Sequence, residues 1–273
     1  MKTILTASVS LLLASSSLLM AESYQLASEN PLPAGLHTKT TNTMSFDFKN
    51  EMDMGEQVME VAMMMRGKSV EELKVSAADS LTLKILEDAF SVTANLPGLG
   101  EQKQNLPRPL AGSSFTGTLT DGAWNLKLNE GNAPAEEIAG KEQELNQRAQ
   151  SEKAMFGEEA RSVGDTWKFD PSKMGRIGDF NEFTGEGTAT FVAIEEIDGA
   201  KCAKVVFDFK AKVKEGLDGM GEAGLSGKMT VWRDVELKLD RSREFKGKIA
   251  VAEPMPIDAP ITMTSKVKIL GTK

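Results

Sequence analysis

The sequence predicts an α+β protein built mainly of antiparallel sheet, in the form of a curved sheet or half-barrel, with one principal surface helix near residues 134–156. Three observations predict it. From residue 36 onward, long runs alternate apolar and polar residues with the period of two that marks a half-buried strand. Asp-Gly pairs at 121–122 and 198–199 fall between such runs and suit two-residue hairpin turns. The stretch 132–156 carries instead an apolar stripe at helical spacing. Strands before and after a single helix read as α+β rather than as βαβ units.

Residues 22–35 contain Pro31, Pro33 and Gly35 and are expected to form a flexible leader. The first strand starts at Leu36, with Leu36, Thr38, Thr40, Met44, Phe46 and Phe48 on one face and His37, Lys39, Thr41, Thr43, Ser45 and Asp47 on the other. The stretch "EQVMEVAMMMRG" then raises a choice. Met and Ala favour helix intrinsically. As a strand it sets Met59, Val61, Met63 and Met65 on one face, and Gly55 and Gly67 read as breakers on either side. The strand reading is adopted. "SVEELKVSA" and "SLTLKILEDAFSVTAN" pair through residues 78–80, 96–112 is a Pro/Gly-rich loop, and "SSFTGTLTDGAWNLKL" is a hairpin.

In the helix, Asn132 is the candidate cap, Pro134 is tolerated in the first turn, and Glu136 and Glu137 oppose the positive end of the dipole. Ile138, Leu145, Ala149 and Phe156 trace the stripe, and Gly157 stops it. After "RSVGDTWKFD" comes a long hairpin with Asp198-Gly199 at its tip. Ala203, Val205, Phe207, Phe209, Ala211 and Val213 share one face of its return strand. A second hairpin turns near residues 240–243, with Met229, Val231, Val235, Leu237 and Leu239 inward and Arg233 as the odd member. "ITMTSKVKIL" closes the chain. The organisation is thus 1–21 signal peptide, 22–35 leader and 36–273 a single β-rich domain, whose halves 36–130 and 163–271 the helix joins.

"VGDTW" (163–167), "GTATFVAIEEIDGAKCAKVVF" and "GKMTVWRDVELKLDRSREFKGKIAV" resemble a group of exported bacterial β-rich proteins of unknown function in which a V-G-D-x-W start precedes long hairpins. "PLAGSSFTGTLTDGAW" is similar to their first half. The group implies no enzymatic residues. The general shape also resembles, at fold level only, the curved half-barrels of periplasmic lipoprotein carriers.

The first residues bear on compartment. Lys2, an apolar and Ser-rich run to Met20 and the small Ala21 have the layout of a secretory signal peptide, too short and too rich in serine for a membrane anchor. A periplasmic or extracellular protein is expected, with no transmembrane segment after cleavage. One cysteine, Cys202, excludes an internal disulfide. The net charge of −8 and the lack of a basic run argue against nucleic acid as a partner.

Chemistry is sparsely signalled. The only histidine, His37, and Cys202 lie far apart in sequence, and the paired carboxylates (71–72, 136–137, 158–159, 195–196) read as solvated. Residues 219–224 match G-x-G-x-x-G but precede a strand where a dinucleotide site needs a helix. The segment 214–227 reads as a flap, and Trp167 and Trp232 read as core. No catalytic residue, metal ligand or cofactor is expected, and the chain reads as a non-enzymatic binding or envelope-associated structural module. The first alternative is a carrier whose apolar groove, lined by Phe46, Phe48, Met59, Met63, Met65, Phe207 and Phe209, takes a lipid or lipoprotein, because adaptable Met surfaces suit apolar ligands. The second is copper held by methionine thioethers.

Overall fold

The structure, a computed structural model, describes residues 22–30, 32–53, 58–96, 98, 100–106, 108–174, 181–215, 223–251 and 257–272. The signal-peptide segment 1–21 and half of the expected flap, 216–222, lie outside the described residues; the rest of that segment is strand and not flap, 214–215 ending β11 and 223–227 opening β12. The strands are β1 (Ser23–Tyr24), β2 (His37–Asp53), β3 (Val58–Ala77), β4 (Ser80–Leu96), β5 (Gly100–Leu106), β6 (Ser114–Thr120), β7 (Ala123–Glu130), β8 (Arg161–Ser162), β9 (Thr166–Phe169), β10 (Asn181–Ile197), β11 (Ala200–Glu215), β12 (Ala223–Asp234), β13 (Asp240–Val251) and β14 (Ile257–Gly271). One helix, α1 (Ala135–Phe156), separates β7 from β8.

Twelve strands form one antiparallel, curved, open sheet in the order β7-β6-β4-β3-β2-β14-β13-β12-β11-β10-β9, with β5 alongside the far half of β4. The chain enters in mid-sheet at β2, meanders outward to the edge strand β7, passes through α1 to the opposite edge β9, and meanders back until β14 pairs with β2. Ten strand spacings separate β7 from β9, about 48 Å around the sheet. Yet α1 touches both edges. Asn146 bonds to Trp124 of β7, and the Met155 carbonyl accepts from Trp167 Nε1 of β9 at 2.8 Å. Those helix positions lie only about 14 Å apart along the axis, so the sheet is curled until its edges approach and α1 fills the gap.

How α1 meets β7 follows from spacing. Four helical residues advance about 6 Å and two strand residues about 6.6 Å. Glu142 and Asn146 therefore match Leu126 and Trp124. Glu142 Oε1 accepts from Leu126 N at 2.7 Å, and Asn146 Oδ1 accepts from Trp124 N at 2.6 Å. Asn146 Nδ2 donates to the Trp124 carbonyl at 3.0 Å. One side-chain amide thus copies the pairing of a neighbouring strand and covers an edge that would otherwise invite other strands.

The hairpins at 121–122 and 198–199 form as the sequence predicts. Asp121 and Asp198 have φ of 53° and 49°, and the following glycines 80° and 76°, the double positive φ of a type I′ turn. The inward faces expected for β2 and β11 are also present: Leu36, Thr38, Phe46 and Phe48, and Ala203 through Val213 at alternate positions, are buried.

Several expectations change. The Met stretch and "SVEELKVSA" are one strand, β3, which runs straight through Gly67; that glycine is no breaker, because the Phe90 ring sits over it, 3.3 Å from where a Cβ would be. The loop 96–112 contains β5. The helix begins after Pro134, not Asn132, with no side-chain cap. The hairpin expected to turn at 240–243 turns at 235–239 instead, where Asp234 Oδ1 accepts from Glu236 N and Leu237 N. Within the leader, β1 pairs with β8, and Leu26, Ala27 and Leu32 enter the core.

Candidate binding face under the helix

Because β-residues alternate between faces, the register writes out the inner face as rows that cross the sheet. One row reads Trp167, Ala189, Phe207, Met229, Phe245, Met263, Met44, Gly67, Phe90. The next, two residues along each strand, reads Phe169, Gly187, Phe209, Gly227, Gly247, Ile261, Phe46, Met65, Val92. The glycines of the second row make room for rings. Phe169 lies over Gly187 and Phe245 over Gly247. Phe209 and Phe245 stack at 5.5 Å, and Phe169 meets Phe207 edge-on at 5.2 Å.

The expected groove residues fall on this face in two groups, Phe46, Phe48, Met63 and Met65 on β2 and β3, and Phe207 and Phe209 on β11. Phe46, Phe48, Met65, Phe207 and Phe209 are buried and Met63 is half-buried against the same cluster. Met59 pairs with Met52 in register, but its side chain lies outside the described residues. Alternation turns Met64 to the exterior, so the run Met63–Met65 does not converge on one point.

On the other side of the Met/Phe row the inner face turns polar. Val231, Arg243, Ser265, Asn42, Ser69 and Asp88 form this row, and Asn42 Nδ2 donates to Ser69 Oγ at 3.1 Å. From Arg243 to Asp88 its members are half-buried. Beyond the belt a second core begins, with Leu73, Val75, Leu81, Leu83, Phe115, Trp124 and Leu126, against which Ile138 and Leu145 of α1 pack. Met155 and Phe156 reach the first core. The charged middle of α1 lies between.

There α1 is held by ions. Glu71, expected in solvent, meets Lys141 of α1 at 2.5 Å. Burial raises the Glu71 carboxyl above its ordinary value despite Lys141. Burial would lower Lys141, but Glu144 and Glu71 outweigh it and hold the amine well above its usual range. Arg233, the odd inward residue of β12, is 1% exposed. Its Nη2 donates to Glu152 of α1 at 2.5 Å, its Nη1 to Asp240 at 2.8 Å, and its Nε to the Leu26 carbonyl at 2.6 Å. The guanidinium rests 4.6 Å from the Phe156 ring centroid. Burial pushes Asp240 up, but Arg243 and Arg233 prevail and keep it below the ordinary carboxylate value. One arginine thus ties leader, helix and sheet together. The inward parity of position 233 was the sequence signal for it; its three partners had none.

The remaining candidates sit apart. His37 Nε2 lies 2.6 Å from Glu72 Oε1 on β2 and β3. Cys202, on β11, is four strand spacings away, about 19 Å. It is fully buried, and burial, then Asp234, push its thiol up to about 11. Glu195, expected to be solvated, accepts from Lys204 and from Trp232 Nε1. Trp232 is half-buried, whereas Trp167 is core. In V-G-D-x-W, Gly164 takes φ of 97°, Asp165 Oδ2 accepts from Ser162 N, and the turn exchanges backbone bonds with Phe191. The motif docks an edge strand.

No family model matches the chain, and no curated protein does, so V-G-D-x-W brings no family with it. Among solved structures, one of lipovitellin, titled for its lipid–protein interactions, aligns over 88% of this chain and 25% of that one, with a TM-score of 0.44 and 9% identity. OpdK of Pseudomonas aeruginosa with vanillate aligns over 87% of this chain and 70% of that one, with a TM-score of 0.14 and 9% identity. The chain therefore spans about a quarter of the lipovitellin chain, and at these scores neither likeness assigns a ligand or an activity.

Proposed function

We propose that the protein is an exported, non-enzymatic binding module that takes an apolar ligand between the inner face of its curled sheet and α1. The observation that carries this reading is how the helix is attached. A cover built only for stability buries a broad apolar stripe. Here α1 fully buries only Glu152, Met155 and Phe156; Ile138 and Leu145 pack half-buried on the second core, and polar bonds from Lys141, Glu142, Asn146 and Glu152 make the other joins. Water can replace much of such bonding, whereas the Met and Phe rows beneath need an apolar partner if the helix lifts. The Met side chains adapt to ligands of mixed shape.

The test is native mass spectrometry of the purified full chain after incubation with phospholipid vesicles. A retained lipid mass is expected, and Phe209→Asp, which charges the inner face, should abolish it. A lipid-free mass after saturating incubation would overturn the reading.

A further inference from the structure

We infer that the outer edge of β5 is a pairing surface for a second copy of this chain, and that two β5 strands join antiparallel about a two-fold axis at Gln102. The inference stands apart from the ligand under α1 and needs none of it.

β5 pairs with residues 90–96 of β4 without a bulge, and among the described residues β4 is its one partner strand. The edge of β7 is covered by Glu142 and Asn146 of α1, and β9 is only four residues long. β5 has seven residues, all exposed, and contains no proline. A strand of this kind at a sheet edge is a template for another strand. Charge is a common guard of such edges. Here it cancels, because Glu101 and Lys103 stand on one face of β5, beside Asn95 and Thr93 of β4.

Geometry limits how two copies can meet. In an antiparallel pair, alternate residues point their N–H and C=O groups at the partner, so directly opposed residues have matching orientation. Two identical strands related by a two-fold therefore place the axis at a residue, never between two. An axis at Lys103 sets two ammonium groups directly opposite each other, and one at Glu101 sets two carboxylates so. Both arrangements are destabilising. An axis at Gln104 leaves Lys103 facing Asn105. With the axis at Gln102, Glu101 of each copy faces Lys103 of the other, the two Gln102 residues meet, and Gly100 faces Gln104. This register alone converts both charges of the strand into opposite-charge pairs. The contact is small, so the dimer it forms is reversible.

The experiment is sedimentation velocity on the full chain over a concentration series up to about 100 μM. A dimer that builds with concentration is expected. Lys103→Glu and Glu101→Lys each turn both pairs into like charges and should each raise the dissociation constant about tenfold or more. An equimolar mixture of the two variants should restore the dimer. Both positions are exposed, so the substitutions leave the core of the monomer untouched. Gln102→Cys puts a thiol at the axis while Cys202 stays buried. Mild oxidation should cross-link it to its copy, and adding Lys103→Glu should suppress the cross-link. A wild type that stays monomeric throughout would overturn the inference and leave this edge to a strand of another protein. A dimer unchanged in both charge variants would place the contact elsewhere, and one that tightens in Lys103→Gln would place the axis at Lys103. Either result overturns the assignment.

Discussion

Replacing Arg233 by Met tests the network that anchors α1. The methionine keeps most of the stem volume and its contact with the Phe156 ring, so packing changes little. What is lost is charge: Glu152 and Asp240, 3% and 7% exposed, are left without their shared cation. Breaking a buried pair by removing one partner costs about 3–5 kcal/mol. Arg148 and Arg243 still neighbour the two carboxylates, which sets the expectation at the lower end, about 3 kcal/mol. Against a typical stability of about 5–15 kcal/mol, that is a large fraction. Urea unfolding at pH 7, followed by tryptophan fluorescence, measures it. The cause is separated by a second variant, Arg233→Met/Glu152→Gln, in which the stranded anion is gone. If stranding is the penalty, the double variant recovers about 1–2 kcal/mol relative to the single one. A single variant within about 0.5 kcal/mol of wild type, or a double variant that loses the plain sum of both changes, would refute the reasoning.

Other perturbations follow from the same structure. Asp240 has a depressed pKa, so its contribution is present above the unfolded value near 3.8 and is lost as pH falls through the folded value; Asp240→Asn should flatten the acid limb of a stability–pH curve below about pH 4 and lower stability at pH 7. Gly187→Ala would put a Cβ 2.3 Å from the Phe169 ring and should cost about 1–3 kcal/mol in urea unfolding, whereas Gly224→Ala, with nothing nearer than 3.7 Å, should stay within about 0.5 kcal/mol. Cys202 should resist a thiol reagent in the folded protein and react on addition of denaturant, and rapid labelling of native protein would contradict its burial. Asn146→Leu should uncover the edge of β7 and raise self-association in sedimentation velocity, while Asn146→Gln should not.

What the sequence made legible was local. Alternation gave the inward faces of β2 and β11, and Asp-Gly placed two hairpins, because period and turn chemistry act over a few residues. The β5 strand leaves no mark in the sequence pattern because all seven of its residues are exposed, so it has no apolar face to show. Gly67 read as a breaker because the ring that covers it comes from Phe90 on another strand. The leader reads as flexible for a similar reason. Its few apolar residues, Leu26 and Leu32, gain partners only once distant strands are in place. Polar bonds between α1 and the sheet join residues such as 71 and 141, or 152 and 233, and no spacing rule reaches across such separations.

The seam between β2 and β14 sets a timetable for folding. Met44 pairs with Met263 in the middle of the sheet, so the central ladder cannot form until the final strand has left the ribosome. Until then two half-sheets must wait with long backbone edges unpaired, the condition under which nascent chains are captured by one another or by chaperones. Removing residues 257–273 would hold the molecule at that stage.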